Sequence, residues 1–295
     1  MGPRAKVATF VTIGAMLERL PLRWSVWLFS STARWFSTRV SGAANLSTNI
    51  DVATRDGERT LNDSDRRRLT KRAMASYGQY WAEGAKLPAL SPDTITKHFV
   101  VGEGLEYLEA AYAEGKGVVV ALPHIGSWEW GGSVITAQGM PITVVAEELD
   151  PPALFEWFRR KRAAVGIKVE PLNAQASSTL LSVLRDGGLV GLLCDRDIQG
   201  GGIAVDFFGR RVTVPGGPAT LALRSGAALL AAACYIGPGD DHYAVISRPI
   251  PAQREGRLRD DVERVSQAVT DELARLIRRA PEQWHVLEDR FAPLP

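Results

Sequence analysis

The 295-residue chain carries only two cysteines, Cys194 and Cys234. That is too few for a disulfide framework or a Cys-rich zinc site. Each sits in an apolar run, Leu192-Leu193-Cys194 and Ala232-Ala233-Cys234, where cysteine acts as a small buried hydrophobe. A reducing compartment suits this usage. Long hydrophobic segments are also missing. The longest nearly apolar run, residues 7–17, stops at Glu18-Arg19, short of the roughly 20 residues of a membrane-spanning helix. Arg4 and Lys6 precede it as they would a signal-peptide core, but Glu18, Arg19 and Pro21 follow where small cleavage-site residues would stand. The chain has no G-x-S-x-G, no P-loop, no H-E-x-x-H and no G-x-G-x-x-G. These absences argue against a nucleophile elbow, ATP hydrolysis, a zincin and dinucleotide binding. Gly102-Glu103-Gly104 lacks the third glycine and precedes its strand instead of following it.

What is present is a globular composition: 45% hydrophobic, 23% charged, 28 glycines and 17 prolines. It excludes disordered, collagen-like and heptad-repeat proteins, and a chain of this size buries roughly three quarters of its extended surface. The net charge of +2 is unevenly spread. Residues 1–40 hold six bases (Arg4, Lys6, Arg19, Arg23, Arg34, Arg39) against Glu18 alone, a net +5. The remainder holds 29 bases against 32 acids, a net −3. After Pro21, Trp24, Trp27 and Trp35 alternate with Arg23 and Arg34. That pattern suits the headgroup zone of a bilayer, and it suits equally an amphipathic helix packing on the protein's own core. A second basic stretch, Arg66 to Arg72, opens a helix toward Lys86, either as a solvated face or as a membrane-facing patch. The pI of about 8.6 and the lack of any recognisable motif argue against nucleic acid as a partner.

From about residue 100, strand and helix patterns alternate. Gly117 to Leu122, Ile142 to Glu147, Ile167 to Leu172, Leu189 to Asp195, Ala228 to Ile236 and Tyr243 to Ile250 read as short buried strands. Helical patterns occupy 104–115, 128–138, 152–165, 175–186 and 218–225. Residues 261–279 place Val262, Val265, Val269, Leu273, Leu276 and Ile277 on one stripe. The alternation implies an α/β fold, a mixed, largely parallel sheet flanked by helices, with an amphipathic helical layer at the N-terminus. No repeat, low-complexity tract or Ser/Gly linker interrupts it, so one domain over 1–295 is expected, with a helical layer at 1–90 and an α/β core at 91–295.

The segment Pro123-His124-Ile125-Gly126-Ser127-Trp128-Glu129 begins just past a buried strand, where α/β folds place their ligands. On one helix His124 and Glu129 would point about 140° apart at 100° per residue. They meet only if His124 lies in the loop and Glu129 in the first helical turn, with Ser127 as the cap. A carboxylate on one imidazole nitrogen would leave the other free as a general base. A histidine merely closing a strand end is the plain alternative. Three further clusters share this neighbourhood. Cys194-Asp195-Arg196-Asp197 ends another buried strand. Asp206-Phe207-Phe208-Gly209-Arg210-Arg211 leads to Pro215-Gly216-Gly217-Pro218, either a hairpin and helix start or a set of bare amides for an anion. Pro281 to Leu287 contains His285, which taken alone is a structural or a catalytic histidine.

Together these clusters resemble the glycerophospholipid and lipid A type acyltransferase superfamily. The marks are the His-x4-acid motif after a strand, Phe-Phe-Gly-Arg with Gly-Gly-Pro-Ala-Thr-Leu-Ala, and Pro-Glu-Gln-Trp. Within it, Leu122-Pro123-His124, Val145-Ala146-Glu147, Asp195-Arg196-Asp197-Ile198, Val205 to Gly209 and Trp284 to Leu287 look most like the actinobacterial phosphatidylinositol mannoside acyltransferases. The chain differs in having Glu129 where those enzymes usually show Asp, and Asp195 where they show Glu. The resemblance implies transfer of a fatty acyl group, such as palmitoyl, from acyl-CoA to a mannose hydroxyl of a glycolipid. His124 would be the base and Glu129 its orienting carboxylate. Glu147, Arg162, Asp195 and His285 would line the acceptor-sugar pocket. It implies no metal and no cofactor beyond acyl-CoA as co-substrate, and a peripheral enzyme on the anionic cytoplasmic face of the plasma membrane. A lipid A type late acyltransferase using acyl carrier protein or CoA thioesters, a noncatalytic lipid-binding member of the fold, and a thioesterase remain as alternatives.

Overall fold

Pro21 cannot continue a helix through its missing N–H, and it divides the aromatic N-terminal region in two. In a computed structural model, which describes residues 3–55, 61–198, 200–239 and 241–292, helix α1 spans Pro3–Arg19 and α2 spans Leu22–Trp35. The side chains of Arg4 and Lys6, counted above in the basic arm, lie outside the described set. Helix α3 (Ala43–Ala53) leads to α4 (Asp63–Lys86). The Asn62 side chain caps α4 by accepting the Asp65 N–H at 2.9 Å, and Asp63 and Asp65 load its first turn. Helix α2 crosses α4 so closely that a Cβ at Gly78 would lie 2.5 Å from the Phe29 carbonyl oxygen.

The α/β region follows as α5 (Pro92–Lys97), β1 (Phe99–Glu103), α6 (Leu105–Ala113), β2 (Val118–Leu122), α7 (Trp128–Ala137), β3 (Ile142–Ala146), α8 (Pro152–Ala163), β4 (Lys168–Pro171), α9 (Ala176–Arg185) and β5 (Leu189–Leu193). Then come β6 (Ile203–Phe207), β7 (Arg210–Val214), α10 (Gly217–Ser225), β8 (Ala228–Ile236), β9 (His242–Ile246) and α11 (Leu258–Arg279). Seven strands form one sheet in the order β1-β9-β8-β2-β5-β3-β4. All neighbours run parallel except β8 and β9. The expected mixed, largely parallel sheet between helices is thus the architecture found.

One face of the sheet packs Val119, Ala121 and Val190 against α9, α10 and the buried stripe of α11. The other packs Val118, Val120 and Val144 beneath α6 and neighbouring side chains of α7 and α8. Strands β6 and β7 form a separate hairpin whose two-residue turn is Phe208-Gly209. Both residues have positive φ, 53° and 71°, as the tightest hairpin turns require.

Buried hydrogen bonds fasten the N-terminal helices to this core. Glu83 of α4 and His242 of β9, both buried, pair at 2.9 Å, and the imidazole stacks on Trp130 at 4.1 Å. The Asn49 amide donates to the carbonyls of Val286 and Glu288. The tryptophans of α2 do not join the core: Trp24 and Trp27 are 52% and 60% exposed, and the buried residue of that helix is Ser25. Within the basic stretch, Arg66, Arg68 and Arg72 are paired with Asp51, Asp65 and Glu282. Among the described residues, no helix is long and apolar enough to cross a membrane.

Candidate active site

Strands β2 and β5 are parallel neighbours paired in register up to Leu122 and Leu193. His124 and Asp195 each stand two residues past that pair, so the sheet delivers both to one edge. His124 Nδ1 lies 2.5 Å from Asp195 Oδ1, and the His124 backbone N–H donates to Oδ2 at 3.0 Å. The Trp284 indole N–H donates to the same Oδ2 at 2.6 Å. Burial alone would push the fully enclosed Asp195 carboxyl up. The charge and hydrogen bonds of His124, with the Trp284 donor, outweigh burial and hold it well below the usual carboxylate range. An ionised Asp195 places the imidazole proton on Nδ1 and leaves Nε2 as the acceptor. His124 remains 20% exposed, and Nε2 has no protein partner among the described residues.

Glu129 therefore does not fill the place its spacing suggested. It stands in the first turn of α7 and His124 stands in the loop, as expected, yet the two side chains part. Glu129 Oε1 accepts from Arg162 of α8, at 3.0 Å from Nε and 2.9 Å from Nη2. The Arg162 guanidinium is a permanent charge with a planar donor fork, and it binds a carboxylate more firmly than a single imidazole nitrogen can. Burial opposes the Arg162 charge, but Glu129 and Tyr80 hold its pKa above the ordinary value. Its guanidinium also lies over the Trp128 ring at 5.1 Å.

The loop around His124 is shaped by main-chain pairing. Gly126 has φ +58°, and a Cβ there would fall 2.0 Å from the Cys234 carbonyl oxygen. Glycine alone fits that approach. Ser127 takes the cap position of α7, but its side chain makes no cap bond, and its N–H donates instead to Cys234 O. The segment 283–285 runs antiparallel to this loop, with Gly126 N–H donating to Gln283 O and His285 N–H to His124 O at 2.7 Å. This pairing seats Trp284 on Asp195 and brings His285 beside His124. The β6–β7 hairpin supports it from below, with Phe207 edge-on to Trp284 at 5.9 Å. Arg290 adds a bond from Nε to the Asp195 carbonyl oxygen.

His285 Nε2 lies 2.9 Å from Ser76 Oγ of α4, and its ring meets Tyr77 and Tyr80. Burial, helped by the charge of His124, pulls its pKa down to about 3, so it is neutral near pH 7. Glu147, just beyond β3, is exposed and has no protein partner among the described residues. His124, Glu147, Arg162 and His285 all line one cavity of about 580 Å³. Asp195 lies beneath it, and Glu129 behind Arg162.

The cavity exists because two strands separate. Pairing of β3 with β5 ends at Val144 and Gly191, two residues before β2 and β5 stop pairing. Val145 and Ala146 then diverge from Leu192 and Leu193, and the space between them is walled by Leu180, Leu221 and Phe155. A polar rim around His124 thus opens onto an apolar interior. Gly217 and Pro218 of α10 line it too. Among the described residues, no group of three or more His, Cys, Asp or Glu could hold a metal ion. The arrangement can withdraw a proton through Nε2 from a hydroxyl at the rim while an aliphatic chain lies inside. The sequence held Asp195 in view but not its role, and it gave no sign that Trp284 is the donor fixing it.

The family model for bacterial lipid A biosynthesis acyltransferases matches residues 4–292. The chain is 34% identical over 227 residues to a phosphatidylinositol mannoside acyltransferase of Mycobacterium tuberculosis, covering 74% of this chain and 69% of that protein. It is 33% identical over 226 residues to the Mycolicibacterium smegmatis protein of the same name, with 76% and 72% covered. It is 29% identical over 184 residues to a lipid A biosynthesis acyltransferase of Haemophilus influenzae, with 61% and 55% covered.

Proposed function

This chain belongs to the bacterial lipid A biosynthesis acyltransferase family, and on that premise we propose that it transfers a fatty acyl group, such as palmitoyl, from acyl-CoA to a mannose hydroxyl of a phosphatidylinositol mannoside. The names of its mycobacterial relatives support the acceptor. The observation that carries the chemistry is the His124–Asp195 pair, 2.5 Å apart, at the rim of an apolar cavity.

His124 Nε2 takes the proton of the acceptor hydroxyl as its oxygen attacks the thioester carbonyl. The tetrahedral intermediate collapses with cleavage of the C–S bond, and the thiolate of CoA recovers the proton from the imidazolium. Asp195 keeps Nδ1–H in place and stabilises the imidazolium, without taking the proton itself. The acyl chain lies between the diverging strands, where each buried methylene contributes about 0.8 kcal/mol. Glu147, Arg162 and His285 hold the sugar, since fixed polar groups discriminate between hydroxyls. Glu129 acts on the sugar through Arg162. The outward tryptophans and basic residues of α1 and α2 support a peripheral seat on the anionic cytoplasmic face of the membrane.

The test is incubation of the purified protein with palmitoyl-CoA, with and without phosphatidylinositol mannosides, following free CoA and lipid products by mass spectrometry. Acceptor-dependent CoA release with a new acylated glycolipid, both abolished in His124→Ala, is the expected result. CoA release indifferent to the glycolipid would point to a thioesterase. Turnover only with acyl carrier protein thioesters and a lipid A precursor would point to the lipid A type reaction.

A further inference from the structure

A second cavity, of about 150 Å³, lies among α1, α4 and α8. It shares the wall formed by Tyr80, Trp81, Phe158 and Arg162 with the larger cavity, but His124 does not reach it. Its interior is made by Leu17, Ala85, Leu87, Trp157 and Val165. The charged groups that border it pair with one another or with neighbouring side chains. Glu129 is bound by Arg162, Tyr80 faces the same guanidinium, and Lys161 is paired with Glu18. Its lining is otherwise almost wholly carbon, so a polar ligand would be poorly matched there and a peptide would bury amides without acceptors. An apolar guest meets no such cost. A dry apolar cavity of about 150 Å³ is large enough for a six-carbon ring, so this one takes the last several carbons of a chain.

The mouth of the cavity says where such a chain comes from. Phe10 and Ile13 line it and are also 36% and 41% exposed. They belong to a concentrated surface: among the described residues, ten of the twelve exposed large hydrophobics lie between Phe10 and Phe36. Leu17, one helical turn inward from Ile13, is only 3% exposed. The slot therefore opens within the apolar face of α1 and α2 and ends beside the Arg162 wall of the acyl-transfer cavity.

We infer that this slot is a second lipid-chain site, which draws one acyl chain of a bilayer-resident diacyl lipid out of the membrane and holds it beside the catalytic cavity. The inference rests on the reading that α1 and α2 face a bilayer. It goes beyond that reading by placing a chain inside the protein, separate from the chain being transferred.

Vesicles of phosphatidylglycerol and phosphatidylcholine, doped with a phosphatidylcholine carrying a diazirine at the end of one acyl chain, provide the probe. After binding and irradiation, adducts are mapped by mass spectrometry. Adducts on Leu17, Ala85 or Val165 are expected in addition to surface adducts on Trp24 and Trp27. Ala85→Phe fills the slot without touching the larger cavity, and should cut the interior adducts about tenfold while flotation with vesicles and surface adducts persist. Ala85→Leu, a smaller insertion, gives the same direction should the Phe variant fail to fold. Vesicle-bound protein labelled only at the surface or only on Leu180 and Leu181, or interior adducts that survive both substitutions, would overturn the site. Failure to float, with no adducts anywhere, would overturn the bilayer reading itself.

Discussion

At His124 the question is which carboxylate orients the ring, and substitution separates the candidates. Asp195→Asn keeps the shape but removes the charge that fixes the Nδ1–H tautomer. In the proposed reaction kcat should fall about 10²- to 10⁴-fold with little change in KM for the donor. Glu129→Gln weakens the hold on Arg162 and should mainly raise KM for the glycolipid, by about tenfold. Steady-state kinetics with both substrates varied distinguish the two, and the opposite assignment of effects would restore Glu129 as the ring's partner. Chain spacing pointed to Glu129 because it is five residues away, whereas Asp195 is 71 residues away. Their meeting depends on β5 lying beside β2, and hydropathy reports that a strand is buried without reporting its neighbour. His285 makes a second residue-scale prediction. Its folded pKa of about 3 lies below the roughly 6.5 of an unfolded histidine. Between these values the unfolded chain binds a proton that the folded chain refuses, so stability is lost as pH falls below about 6.5, by up to about 1.4 kcal/mol per pH unit. Depression of the Asp195 pKa acts in the same direction but at lower pH, with its stabilisation present above about 4 and lost on further acidification. Urea denaturation between pH 7.5 and 5.0 should therefore show a shallower acid dependence in His285→Asn than in the wild type. Equal slopes would remove the proposed cause.

At the scale of elements, the strands and helices were largely legible because each is short, apolar and punctuated. Gly117, Gly166 and Gly187 stop or start segments at positive φ, and the α11 stripe is buried as its period predicts. What stayed hidden was relational. The Phe-Phe-Gly-Arg block reads as a motif, but Phe208-Gly209 is a hairpin turn and Phe207 a prop beneath Trp284. Its contribution to the site passes through Trp284 to Asp195. The early separation of β3 from β5 was equally unreadable, since register is set by neighbours, and it is this separation that opens the cavity proposed to hold the acyl chain. Narrowing that space should therefore select against long donors. Ala176 is buried at the start of α9 and lines the cavity. Ala176→Phe displaces the equivalent of about two methylene groups, so the ratio of kcat/KM for palmitoyl-CoA to that for octanoyl-CoA should fall about tenfold. An unchanged ratio would mean that the acyl chain lies elsewhere.

Across the whole molecule, α4 links the exposed aromatic layer of α1 and α2 to the proposed site. Tyr77, Tyr80 and Trp81 on this helix line the larger cavity, while α2 packs along it and Glu83 locks it to His242 in the core. A bilayer that fixes α1 and α2 would thereby fix the entrance to the site relative to the lipid surface. Two forces of different range would act in this docking. The net +5 of residues 1–40 attracts anionic headgroups from a distance and is screened by salt, with a Debye length of about 10 Å at 0.1 M. The exposed rings act only on contact, and removing one that is half-buried in the interface costs about 1.4 kcal/mol, or tenfold in partitioning. Flotation with phosphatidylglycerol vesicles should therefore weaken but persist as salt rises from 0.1 to about 0.5 M. Trp24→Ala with Trp27→Ala should lower partitioning about a hundredfold at either salt, and leave thermal stability nearly unchanged because neither ring belongs to the core. Activity on glycolipid dispersed in detergent should survive the double substitution, and activity on vesicles should fall with binding. Wild-type flotation by the double variant would place the membrane contact on another face, and equal loss of both activities would mean that α2 shapes the catalytic cavity through α4.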